Sequence, residues 1–342
     1  MPRPPIRRRH TVTELRAMRE LDAAVRKLEP RAAAAFRAAV VAVRSEAKLG
    51  AISAALAAGD LAGAADLAGA GKLGERLRGV VLVPGEASVQ DGLVAGLTAG
   101  GVAGQRALPP QLALRATLDL TNPEAVRYLR EHLPELIREV DDEARRAVQQ
   151  ALLRGFDDGR DARKIAREVR ESVGLTEAQS RAVGNFRRQL ESGELGAGAA
   201  PWERRLSAAE QQQARSIFLS GGESSARVDA LVERYYESLV NRRSRDIART
   251  EVTRAFGAGQ DELWSQAAEQ GLLDPMKTRE VWIVTPDDRL RPAHAEVPDL
   301  NPDGVPLGGM FLTRVGQVRG PRESGDPGFD INCRCTKALV FD

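Results

Sequence analysis

Cysteine, histidine and aromatic residues are scarce in this chain, and each scarcity narrows its function. Only two cysteines, Cys333 and Cys335, occur in 342 residues. No disulfide framework can be built from them, and their spacing fits a reducing cytoplasm. The three histidines are His10, His132 and His294, too few for a multi-histidine metal hydrolase. The basic residues are 44 Arg against six Lys, a compositional bias that carries no functional weight alone. Opposite charges nearly cancel, 50 basic against 48 acidic, so any attraction to nucleic acid must come from local clusters. The longest uncharged run, Gly92 to Gly104 (GLVAGLTAGGVAG), is too short and too glycine-rich to span a bilayer as a helix. The N-terminal MPRPPIRRRH has no apolar stretch behind its charge, so no secretory signal and no membrane partner is expected. No G-x-S-x-G, P-loop or dinucleotide fingerprint is present.

What the chain does contain is helix. Hydrophobic residues make up 42% and charged residues 29%, the balance of a globular protein. The expected fold class is mainly α: an elongated helical N-terminal body with a small α+β C-terminal domain. Phe36 is the one aromatic before Tyr128, and ten of the fourteen lie from Trp202 onward. The early helices should therefore pack through Ala and Leu. Three regions are expected: an Ala/Gly-rich helical region over 1–120, a helical body over 121–242 and the α+β unit over 243–342.

Capping pairs mark helix starts at Thr11 with Glu14, Thr176 with Gln179, and Ser207 with Glu210, while Asn122 followed by Pro123 opens another. Pro30 should end or kink the first helix, a second should run from Arg31 to Gly50, and Pro134 should start a new one. Val80 to Gly85 (VVLVPG) fits a brief strand or buried turn. Ser88 to Pro110, dense in glycine, should be mobile or ordered by a partner. Glu191 to Pro201 is the best linker. A helix should begin after Ser224 or Ser225, and a long one should cover Arg243 to Gln270, with Gly271 as its stop. Strands are expected at Glu280 to Val284 and Cys333 to Phe341, paired with each other.

The late part holds the residues that can do chemistry. Cys-x-Cys on a strand points both thiols to one face. With His294 and a carboxylate, Asp288 or else Asp287 or Asp326, it would suit tetrahedral zinc. Alternatively the thiols are free and His294 bonds to backbone. Asp287, Asp288, Arg289, Arg291 and His294 also read as an acid/base cluster, or as a turn whose arginines tie down a loop, which is the stronger reading. On the long helix Arg242, Arg243, Arg245, Arg249 and Arg254 can grip phosphates or form local pairs, Asp246 with Arg249 and Glu251 with Arg254. Glu251 can also bind backbone amides of the loop. Arg3, Arg7, Arg8 and Arg9 form a basic arm able to lie along DNA or an acidic partner.

Four short signatures fall in a fixed order: Ala248-Arg249-Thr250-Glu251; Trp282; Asp288-Arg289-Leu290-Arg291 with His294; and Asn332-Cys333-Arg334-Cys335. Gly308 to Phe311 and the loop Pro321 to Phe329 lie between the last two. In this arrangement Arg243 to Asp342 resembles the phage Mu F-like family of minor head proteins. The resemblance implies a role in head morphogenesis, a place in the virion at the portal vertex or capsid interior, and assembly in the host cytoplasm. Implied partners are the portal protein, the capsid shell or scaffold, and packaged double-stranded DNA. It assigns Arg249, Thr250, Glu251, Trp282, Arg289, Arg291, Asn332 and Arg334 to a structural motif, and no catalytic residue is expected. Some family members continue into a toxin-like or ADP-ribosyltransferase domain. This sequence has seven residues after Cys335, so none is expected here. The alternatives are a metal-dependent enzyme built on the His/Cys/Asp cluster and a DNA-binding protein built on the basic helix.

Overall fold

The computed structural model describes residues 11–79, 89–194 and 201–341. Arg3 and Arg7 to Arg9, the VVLVPG segment and most of the glycine-rich linker lie outside the described residues. The chain forms two compact units, each assembled from separated pieces: 1–33, 87–133 and 245–342 in the first, 34–86 and 134–244 in the second. The mainly α class with a small sheet region at the C-terminal end is what the sequence predicts.

Local chemistry places the helix starts. α1 (Val12–Glu46) opens on the reciprocal box between Thr11 and Glu14, whose two bonds measure 2.8 and 3.2 Å. α7 (Pro123–Asp157) opens on Asn122, whose side chain accepts the Glu124 amide. Complete capping boxes start α9 (Glu177–Ser192) at Thr176 and α10 (Ala208–Leu219) at Ser207. Two expected breaks do not occur. Pro30 lies inside α1 and Pro134 inside α7. A helix-interior proline costs about 3 kcal/mol, and burial outweighs it: Leu28, Ala32 and Ala33 pack on Ala248 and Val252, while Leu136, Ile137 and Val140 are buried after Pro134. The long helix, α11 (Ala226–Glu269), begins well before Arg243 because Ser225 caps it and the chain runs on unbroken.

The second unit packs α2 (Leu49–Ala57), α3 (Leu61–Leu67) and α8 (Ala162–Arg170) around Ile52, Leu56, Ala64, Ala151, Ile165 and Val169, an Ala/Leu-type core as the early composition implies. α4 (Lys72–Gly79) is tied to α7 where the Gly74 amide donates to Asp141 at 2.9 Å. Arg44 pairs with Glu233 and lies 4.0 Å over the Tyr236 ring.

In the first unit the glycine-rich run is ordered. α5 (Val89–Arg106) carries Gly92, Gly96, Gly100 and Gly104 four apart, hence on one face. That face lies directly on α11: a Cβ on Gly100 would sit 1.9 Å from the Phe256 carbonyl oxygen, and one on Gly259 would sit 1.9 Å from that of Leu97. The glycines expected to be mobile or ordered by a partner are a close-approach surface within the unit, and Trp264 Nε1 closes it by donating to the Gly104 carbonyl at 3.2 Å. α6 (Pro110–Ala113) follows.

After Gly271, in the left-handed region, comes the sheet: β1 (Thr278–Ile283) in the centre, β2 (Val305–Pro306) on one side and β5 (Thr336–Phe341) on the other, all antiparallel. The expected pairing is present, with Val281 opposite Ala338 and Ile283 opposite Thr336. β5 starts one residue after Cys335, so both cysteines sit on its approach and not within it. β3 (Phe311–Thr313) and β4 (Gly316–Val318) form a separate hairpin. Val281, Ile283 and Ala338 pack on Ala17 and Met18 of α1.

Candidate metal centre and its polar frame

Three short helices shape the loop region: α12 (Pro292–Ala295), α13 (Val297–Leu300) and α14 (Pro327–Asp330). Proline sits in the first turn of each, where its fixed φ fits and its missing N–H costs nothing. α12 carries His294 and α14 precedes the cysteines, so the return of the chain to β5 brings all three together. The ligand atoms of His294, Cys333 and Cys335 lie within 4.8 Å of one another, and all three residues are buried. The trio could hold a metal ion.

The histidine is oriented for this. Its Nε2 donates to the Phe329 carbonyl at 2.9 Å, which leaves the Nδ1 lone pair facing Cys335 Sγ at 3.4 Å and Cys333 Sγ at 3.5 Å. A backbone carbonyl holding the far nitrogen is the usual support of a metal-bound imidazole. The Cys335 thiol, and then His294, hold Cys333 well below the usual thiol range against its burial. The hydrogen bond to Cys333, together with burial, pushes Cys335 well above it. Trp282 packs edge-on to His294 and Phe311. Its Nε1 is buried with no hydrogen-bond partner, although the indole favours the Cys335 thiolate.

Around this trio the sequence signatures bond to one another. Thr250 Oγ1 accepts the Asn332 amide at 3.1 Å, and Asn332 Nδ2 donates to Asp246 at 3.0 Å. Asn332 itself adopts φ of 58°, which asparagine tolerates better than most residues. Arg291 donates to the Phe329 carbonyl at 2.9 Å and to the Ile331 carbonyl. Arg334 pairs with Asp287, and its carbonyl accepts Thr285 Oγ1. Arg249 binds Glu29 on α1 at 2.8 Å, an ion pair between helices. Glu251 pairs with Arg254, as expected, and with His132. The hydroxyl of Thr250, and not the Glu251 carboxylate, takes the loop amide.

Other expectations need correction. Asp288 is exposed on its turn and outside the ligand trio, because the Asp287 side chain accepts the Arg289 amide and turns this segment outward. Arg289 is also exposed. Asp326 accepts the Gly328 amide. Arg243 is unsuited to DNA: it is 4% exposed and donates to the Gly174 carbonyl at 2.8 Å and to Glu143 at 2.7 Å. Arg242 and Arg245 are exposed.

Several working residues were not singled out from the sequence. Asp330 accepts the Ser324 and Gly325 amides, and Arg322 donates to the cysteine carbonyls. Lys337, 2% exposed, joins Asp261 and Glu280, and Glu280 also takes Arg319 at 3.0 Å. Ser, Gly and Asp in SGDPGFD were a readable turn signal. The Lys337 cluster had none.

No family model and no solved structure matches the chain. Over 96 residues it is 32% identical to the NAD(+)--arginine ADP-ribosyltransferase EFV of Enterococcus faecalis (strain ATCC 700802 / V583), a match covering 28% of this chain and 18% of that protein. The chain thus spans under a fifth of the length of the curated relative it matches. Among the described residues no helix is long and apolar enough to cross a membrane.

Proposed function

We propose that this chain is a minor head protein acting in phage head morphogenesis, bound to the portal and the capsid interior, with a non-catalytic C-terminal unit held by zinc. The observation that carries the reading is the bonding among three of the ordered signatures, with the fourth, Trp282, packed edge-on to His294. Asp246 and Thr250 on α11 hold Asn332, Arg291 holds the Phe329 and Ile331 carbonyls, and His294 converges with Cys333 and Cys335. Residues arranged to fix a loop serve assembly better than turnover. The acid/base candidates Asp288 and Arg289 stand in solvent while His294 is buried, an arrangement poorly suited to proton transfer between them. The partial match to a much longer ADP-ribosyltransferase supports a shared module carried by different proteins more than shared chemistry.

The residues fit zinc. Bond lengths of about 2.05 Å to nitrogen and 2.3 Å to sulfur at tetrahedral angles put N and S about 3.6 Å apart, against 3.4 and 3.5 Å here. The orphaned Trp282 N–H gains an acceptor if Cys335 is a thiolate. His294, Cys333 and Cys335 would hold the ion, whose contribution is to cross-link α12 to the approach of β5.

The test is co-expression with the portal protein of the same phage. A co-purifying complex is expected, together with the chain's presence in assembled heads and about one zinc per chain. His294→Ala should lose the zinc and lower the melting temperature. Absence from heads and portal complexes, with ADP-ribosyl transfer from NAD+ to arginine by the folded protein, would replace this reading with the enzyme.

A further inference from the structure

Arg322 lies in the loop before the cysteines, with a backbone that side chains rarely adopt: φ is 74°, in the left-handed region disfavoured by Cβ contacts. It is also among the largest fully buried side chains, at 1% exposure. Arginine in a left-handed turn and out of water is doubly unfavourable, so its contacts identify what retains it.

They lead to one place. Nη1 donates to the Cys335 carbonyl at 2.6 Å and reaches the Cys333 carbonyl at 3.4 Å. The Arg322 carbonyl accepts Arg254 Nε of α11 at 3.1 Å. Gly257, one turn further along α11, leaves room for the guanidinium, since a Cβ there would stand 3.3 Å from Nη2. A single group therefore grips the carbonyls of both cysteines while its own backbone is fixed to the long helix. Holding these two carbonyls fixes the peptide plane that follows each cysteine, and with them the directions of the two Cα–Cβ bonds. Arg291 acts in the same way from the other side, through the Phe329 carbonyl that holds His294.

We infer that Arg322 is a positioning residue of the metal centre, setting the geometry in which Cys333 and Cys335 meet His294. The inference rests on the zinc reading given above. Groups that hold metal ligands in place in this way commonly change metal affinity by about 10- to 100-fold.

The test uses the full chain and four proteins: wild type, Arg322→Gly, Arg322→Lys and Leu339→Ala. Glycine relieves the left-handed backbone while removing the grip, and lysine keeps the charge but puts a compact ammonium on a flexible stem in place of the planar guanidinium. Leu339 is buried in a different cluster, beside Trp264, and its truncation controls for lost stability alone. Zinc affinity is read by competition with a chromophoric chelator, and ligand geometry by the absorption bands of the Co2+-loaded protein. Arg322→Gly should bind zinc at least about tenfold more weakly than wild type, with shifted cobalt bands. Arg322→Lys should fall between, and Leu339→Ala should match wild type in both. If Arg322→Gly does not fold, the lysine variant carries the comparison. Zinc affinity of the folded Arg322 variants within twofold of wild type, with unchanged bands, overturns the inference and leaves the zinc reading standing. An equal loss in Leu339→Ala also overturns it. Wild type that takes up neither ion overturns the zinc reading and this inference with it.

Discussion

Replacing Gly100 by Ala tests whether the α5–α11 contact is as close as described. In an ordinary helix this change stabilises by about 0.5–1 kcal/mol, because glycine loses more backbone entropy on folding. Here the new Cβ would stand 1.9 Å from the Phe256 oxygen, 2.7 Å from its carbonyl carbon and 2.9 Å from its Cα. A carbon–oxygen approach needs about 3.3 Å, so the helices must part by about 1 Å or more, and the obstacle is backbone that cannot rotate aside. A gap of about 0.5–1 Å already forfeits a quarter to a half of each dispersion contact, and overpacking costs about 1–3 kcal/mol. With a second near-contact at Gly259 and Leu97, the upper end applies, for a net loss of about 2 kcal/mol after the propensity gain. Gly50 in α2 supplies the control: a Cβ there meets nothing within 4 Å. Thermal melts followed by Trp264 fluorescence should show a fall of about 4–8 °C for Gly100→Ala. Circular dichroism should show a small rise for Gly50→Ala. Equal rises for both would refute the close contact.

Thr250→Val should cost about 1–3 kcal/mol by stranding the Asn332 amide, while Thr250→Ser should recover most of it in denaturant titrations. Burial raises Asp261 to about 6 against the pull of Lys337. With the folded value above the unfolded one, its stabilising contribution is present below about pH 4 and lost as pH rises through about 6. The stability of wild type minus that of Asp261→Asn should therefore decline between pH 4 and 7, and a flat difference would contradict this. Arg243→Ala should lower stability by about 2 kcal/mol or more and leave the salt dependence of DNA retention on a filter unchanged.

Much of the frame was legible because its signals are local. A capping box needs only residues three apart, and Thr11, Thr176 and Ser207 all behave as read. The β1–β5 pairing followed from the mixed apolar and polar make-up of the two segments and the late position of the second. Pro30 and Pro134 misled because proline reports on backbone propensity, whereas the apolar residues around them answer to partners far along the chain. The glycines of α5 were read by composition when their spacing of four carried the information. His294, Cys333 and Cys335 were found together because their chemistry is distinctive, but Asp288 was added by proximity in sequence, which says little about the direction of a turn. The burial of Lys337 was illegible: its partners lie on α11 and β1, and no pattern near Lys337 points to either.

The placement of α1 also governs the order in which the protein can complete itself. Ala17, Leu21 and Leu28 of α1 bury against Phe256, Val252, Ile283 and Ala338, all of which are synthesised far later. At about 5–20 residues per second, roughly 200 residues separate the emergence of this apolar face from that of its partners, a wait on the order of ten seconds or more. During that interval only α5, through Ala95, Ala99 and Ala103, can cover part of that face. Slow synthesis of the stretch between α5 and α11 would therefore prolong the exposure of this face, and should lower the yield of folded protein more than slow synthesis beyond β1.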